Sequence, residues 1–142
     1  MAIHKFAFPT TIHFGPGARK LVAAHLKEAG CKRPLLVTDK GIAALPVLGE
    51  FRSYFAGMNL EVFSGVLGNP VASQVRTGAD AYRAHRADAV IGFGGGAALD
   101  VAKAVALMAV HPGDVLEYAW DHPKVRPIAK ALPHFVALPT TA

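Results

Sequence analysis

Scarcity narrows this chain before any motif does. It holds a single cysteine, Cys31, in 142 residues, so it can form neither an intramolecular disulfide framework nor a cysteine-built zinc site, a usage that fits a reducing compartment. It has no long hydrophobic run. The most apolar stretch, residues 104–110, is too short to cross a bilayer and continues from a segment carrying Asp100 and Lys103. Residues 1–9 mix His4 and Lys5 with short apolar stretches and show no cleavage site, which excludes a secretory signal. A cytoplasmic protein without a membrane partner is expected. Acidic residues are few, ten against fifteen lysines and arginines, for a net charge of +5. Yet the bases fall in scattered short groups, Arg19 with Lys20, Lys32 with Arg33 and Arg83 with Arg86, without interleaved aromatics. They read as solvated helix faces or ends, and nucleic acid is not the expected partner.

What the chain does have is apolar residues, 52% of the total, in an ordered alternation. Residues 5–8 and 11–14 are short β-type segments, separated at Pro9 and closed by Gly15-Pro16-Gly17. Helical spacing then runs over 18–29, 45–56, 71–85 and 97–110. Apolar strand-like runs lie between and after these stretches, at 34–38, 60–63, 89–93 and 135–138. Strands alternating with helices of this length predict an α/β fold: a Rossmann-like, mainly parallel sheet with flanking helices, preceded by a short N-terminal β element.

The chemistry concentrates at residues 88–103. An apolar strand ends in Gly94-Gly95-Gly96 and a helix follows from Ala97, with Asp100 expected in its first turn. Beyond the carboxyl end of a parallel strand, the next helix offers unpaired N–H groups and the positive end of its dipole, and glycines let an anion approach them. A tight packing turn is the plainer alternative. Three consecutive glycines in this setting favour a phosphate cradle, and no Gly-Lys-Ser/Thr follows to make it a P-loop. Gly92, Gly94 and Ala97 satisfy the G-x-G-x-x-G/A spacing, which would seek a ribose-binding acid near Glu117. That fingerprint belongs to the first strand of its unit, whereas several strand-helix pairs precede this loop. Asp39, closing the run 34–38, is the better ribose partner, its alternative being a turn or helix-capping aspartate before Gly41.

The run from Gly94 to Lys103 resembles the GGGSxxDxAK motif of iron-containing (group III) alcohol dehydrogenases. Other marks follow the same order: Ile12-His13-Phe14-Gly15-Pro16-Gly17 is similar to the family's IxFGxG element, Val37-Thr38-Asp39-Lys40-Gly41 to its VTDxG strand end, and Asn69-Pro70 to the asparagine-proline after its next strand. Leu138-Pro139-Thr140-Thr141-Ala142 is similar to the opening of PTTAGTGSE. The resemblance implies an N-terminal NAD(P)-binding domain over 1–142, with a metal-binding helical domain beyond it. It also implies NAD as cofactor, with NADP disfavoured, Fe²⁺ or another divalent metal in the complete protein, a small alcohol or aldehyde substrate, and a homodimer joined through the N-terminal strands. Carried over residue by residue, the cofactor contacts are Asp39, Asn69, Gly94, Gly95, Gly96, Ala97, Asp100, Lys103, Thr140 and Thr141. Neither catalytic residues nor metal ligands are expected in this chain. Ala97 departs from the family's usual serine, removing a hydroxyl contact while keeping the backbone donors.

Two alternatives to the dehydrogenase stand beside it. Dehydroquinate synthase-like lyases resemble it in this domain, and a non-catalytic nucleotide-binding fragment would share the cradle. The seven histidines show no ligand spacing and read as surface or capping residues. Ser53, Ser64 and Ser73 sit at no nucleophile elbow.

Overall fold

The structure, a computed structural model, describes residues 3–7 and 9–141. Phe8, assigned above to the first strand, and Ala142 lie outside the described residues. Two antiparallel strands, β1 (His4–Ala7) and β2 (Thr11–Phe14), form a separate ribbon. A 3₁₀ turn at Ala18–Lys20 opens α1 (Leu21–Glu28), which stops before Gly30 at φ 82°.

The main sheet is parallel, in the order β4-β3-β5-β6. Its strands are β3 (Pro34–Asp39), β4 (Glu61–Val66), β5 (Ala89–Gly94) and β6 (His134–Pro139). Between them run α2 (Lys40–Ala43), α3 (Pro46–Ser53), α4 (Ala72–His85) and α5 (Gly96–Val110). The period-2 alternation of the buried strands divides their side chains between two cores. Leu35, Val37 and Val90 face α4 and α5, against Val75, Val101 and Val105. Leu36, Ile91 and Phe93 face α1 and α3, against Leu26 and Phe51. Full burial of each such side chain stabilises by about 1.5–3 kcal/mol.

Several boundaries differ from the sequence reading. The short α2 was not anticipated; the Asp39 side chain caps it by accepting from the Ile42 N–H. α3 opens at Pro46, whose fixed φ suits a first helical position, and ends at Ser53. β4 continues through Ser64 and Gly65 to Val66; these two residues interrupt the apolar run, and the register against β3 shifts by one residue there.

The histidines keep to surface and capping positions, with two additions: His111, the cap of α5, is buried, and His25 meets His134. His111 is 5% exposed: its Nδ1 lies 3.0 Å from the Leu107 carbonyl and its Nε2 accepts from the Lys130 N–H at 3.1 Å. It is the buried C-cap residue of α5, and it also holds the long segment after that helix. His25 on α1 and His134 on β6 meet across 109 positions, Nε2 to Nε2, at 2.7 Å. Sequence spacing could show neither the Lys130 nor the His134 contact, because both join segments distant along the chain.

Candidate functional site

Strand order decides where a crevice opens. The chain leaves β3 through α2 and α3 toward β4 on one side, and leaves β5 through α5 toward β6 on the other. The two connections diverge at the carboxyl ends of β3 and β5, the position at which open parallel sheets hold ligands. Asp39 ends β3 and Gly94 ends β5.

These two residues nearly touch. Gly94 has φ 152°, and a Cβ there would lie 2.8 Å from the Ala98 Cβ and 2.9 Å from Asp39 Oδ2, so only glycine fits. The other Asp39 oxygen, Oδ1, accepts from the Ile42 N–H at 2.7 Å. The capping role that the sequence left open for Asp39 is therefore present, and it uses one oxygen of the half-buried carboxylate.

Gly95 and Gly96 differ from Gly94. Gly95 is the N-cap of α5 and supplies no side-chain cap, so the N–H groups of Gly96 and Ala97 lack intrahelical acceptors. Neither glycine has a positive φ. A Cβ on Gly96 would meet nothing within 4 Å, and one on Gly95 only Thr141, at 3.7 Å. Backbone conformation and protein packing thus do not require these two glycines. Bare backbone at the positive end of a helix dipole, facing open space, is a cradle that suits a phosphate.

The other sequence-selected residues sort around this turn. The Thr140 N–H donates to the Gly94 carbonyl at 2.9 Å, which brings the exposed Thr140 and Thr141 beside the glycines. Asn69 is exposed in the loop after β4, and Ala97 is half-buried at the start of α5. Asp100 corrects the expectation: α5 opens at Gly96, so Asp100 is its fifth residue and no acidic side chain lies in the first turn. Asp100 and Lys103 are both exposed, and the ion pairs among the described residues do not join them. The carboxylate of Glu117, the acid that the rejected fingerprint would select, is paired with Arg126 and completes a capping box with Asp114.

Thr38, which the sequence reading passed over as a site residue, is 0% exposed, and its hydroxyl donates to the Phe93 carbonyl at 2.6 Å. A polar residue closing the apolar run 34–37 was the available signal. Two hollows among the described residues lie elsewhere. One of about 60 Å³ is bordered by Arg76, Arg83 and Asp114, and one of about 280 Å³ by Lys27, Cys31, Lys32 and Met58. Burial, then the nearby Asp88 charge, pushes the Cys31 thiol up, so the larger hollow presents no ready thiolate. Among the described residues, no three His, Cys, Asp or Glu side chains come together in a group that could hold a metal ion. No helix among them is long and apolar enough to cross a membrane.

The sequence and the fold both have recognisable relatives. The chain is 37% identical to 4-hydroxybutyrate dehydrogenase of Cupriavidus necator over 134 residues, 94% of this chain and 35% of that protein. The crystal structure of a 1,3-propanediol oxidoreductase superposes with a TM-score of 0.78 at 34% identity, over 90% of this chain and 33% of that one. Sulfoacetaldehyde reductase from Bifidobacterium kashiwanohense, solved in complex with NAD⁺, superposes with a TM-score of 0.76 at 26% identity, over 90% and 33%. The chain thus spans about a third of the length of the relatives it matches. The sequence pattern of the iron-containing alcohol dehydrogenases matches residues 9–142, and the chain belongs to that family.

Proposed function

We propose that this chain is the dinucleotide-binding portion of an NAD-dependent oxidoreductase acting on a small alcohol or aldehyde. The carrying observation is that Gly95 and Gly96 leave bare backbone, unrequired by packing, over the uncapped start of α5. In this reading the N–H groups of Gly94, Gly95, Gly96 and Ala97 receive the pyrophosphate. Asp39 Oδ2 accepts from the adenosine ribose hydroxyls, and Asn69 borders the same half. Thr140 and Thr141 stand toward the nicotinamide half, with Asp100 and Lys103 at the outer margin.

When bound, the nicotinamide supplies the hydride acceptor or donor. This chain contributes binding and orientation, and a second domain, carrying a divalent metal, is proposed to contribute the substrate side. The relatives' names, and the NAD⁺ in one of their structures, support this reading. So does the exposed apolar face of the β1–β2 ribbon for a homodimer. A cytoplasmic setting accords with the lone, buried cysteine.

Calorimetric titration of the purified chain with NAD, NADH and ADP-ribose tests the reading. All three are expected to bind, with ADP-ribose keeping most of the affinity because the contacts of Asp39, Asn69 and the glycine turn lie on that part of the cofactor. No binding of any of them would overturn it. Metal-dependent alcohol oxidation by the 142-residue chain alone would overturn the assignment of the substrate side to another domain.

A further inference from the structure

At its carboxyl end β3 changes character. Leu35, Leu36 and Val37 are buried and apolar, and Thr38 follows, equally buried. Valine has nearly the same shape and carries no polar group to desolvate, so a hydroxyl here is favoured only by its partner. That partner is the carbonyl of Phe93, at 2.6 Å, and Phe93 is also the residue opposite Thr38 in the ladder.

The bond sits where the sheet is least regular. On the β4 side the register shifts: Val37 pairs with Phe63 but Asp39 with Val66, so β4 carries an extra residue opposite Thr38. On the β5 side the Thr38 hydroxyl adds a cross-link of its own. The next residue on each strand belongs to the crevice. Asp39 Oδ2 stands 2.9 Å from where a Gly94 Cβ would be, and α2 and α5 begin directly after these strand ends. Slack between β3 and β5 would therefore move the carboxylate relative to the glycine turn.

We infer that Thr38 is a positioning residue of the dinucleotide site: its buried hydroxyl sets the spacing between the Asp39 carboxylate and the Gly94 turn, and through them the grip on the adenosine ribose and pyrophosphate. This rests on the proposed NAD reading of the crevice. The residue touches no ligand; it acts through Phe93, Gly94 and Asp39.

Thr38→Val, Thr38→Ser and Thr38→Ala are compared with the wild-type chain for NAD and NADP affinity by calorimetry. Hydrogen exchange at the amides of Gly94 to Ala97 is followed without ligand. Thr38→Val is expected to weaken NAD about tenfold, to narrow the NAD/NADP ratio and to speed exchange in the turn, while Thr38→Ser stays within about threefold of wild type. A purely structural role would not tie the cofactor ratio to the hydroxyl in this way. Should Thr38→Val fail to fold, Thr38→Ala against Thr38→Ser carries the same comparison. Unchanged NAD affinity and exchange on loss of the hydroxyl, or a serine variant as impaired as the valine one, overturns the inference. Wild-type protein that binds no dinucleotide overturns the NAD reading instead, while the exchange data still decide whether Thr38 holds the turn.

Discussion

Asp39 carries two assignments on one side chain. Oδ1 closes the first turn of α2, and Oδ2 faces Gly94. In the proposed site the second oxygen reads the ribose and repels the added phosphate of NADP. At a partly solvated position that repulsion costs about 1–3 kcal/mol, about one to two powers of ten in affinity. Replacements can separate the roles. Asp39→Asn keeps an acceptor for Ile42 and loses the charge, so it is expected to narrow the NAD/NADP ratio with little change in melting temperature. Asp39→Ala loses both and is expected to give up about 1 kcal/mol of stability as well. Paired titrations and melts at fixed salt check this. Wild-type protein that binds the two cofactors equally would leave Asp39 as a cap alone.

Among the elements, the end of α4 and the α1–β6 contact give separate expectations. Arg86 terminates α4 at φ 53° and ψ 47°, the one described non-glycine residue with positive φ. A side chain pays for that conformation, and the greater freedom of glycine in the unfolded chain offsets part of the gain. Arg86→Gly is therefore expected to stabilise by about 0.5–1 kcal/mol in a denaturant titration. A loss instead would mean that the arginine side chain contributes more than its backbone costs.

The His25–His134 pair makes the α1–β6 contact sensitive to pH. Burial first, then the neighbouring His25 charge, holds His134 below its ordinary value of 6.5. The folded state therefore binds its proton less readily than the unfolded chain does. This contribution is fully present above about 6.5, shrinks as the pH falls, and levels off below the depressed folded-state value. With both rings protonated, each Nε2 is a donor and the bond is lost. Replacing His134 with glutamine is expected to flatten the stability profile in that window, and an unchanged slope between pH 5 and 7 would assign the pH dependence elsewhere.

For the whole molecule, the salient surface is the N-terminal ribbon. Phe6 pairs with Ile12 and His4 with Phe14, so Phe6, Ile12 and Phe14 share one face. They are 57%, 50% and 69% exposed. Apolar side chains and free strand edges together invite addition of another chain. The proposed homodimer through this ribbon predicts a concentration-dependent dimer in sedimentation, and Phe6→Lys with Phe14→Glu is expected to shift it to monomer without lowering the melting temperature of the main domain. A wild-type monomer at high concentration would end the proposal.

Residues alone determined the class of the fold. The 3.6 periodicity located the four long helices and short apolar runs located the four strands of the parallel sheet, because burial of one helix face or of both strand faces writes itself into the local sequence. The glycine turn was legible for the same reason, lying between a clear strand and a clear helix. Tertiary structure decided what spacing cannot carry. Strand order brought Asp39 against Gly94 across 55 positions, by the pairing that also joins Thr38 to Phe93. It also separated the glycines, since Gly94 is demanded by a neighbour's carboxylate and by Ala98, whereas a Cβ on Gly95 would make only an ordinary contact with Thr141 and one on Gly96 would meet open space. It set the start of α5 one residue earlier and so moved Asp100 out of the first turn. Contacts such as His25 with His134 leave no periodic trace, because each side chain sits correctly in its own element and only the packing of the elements brings them together.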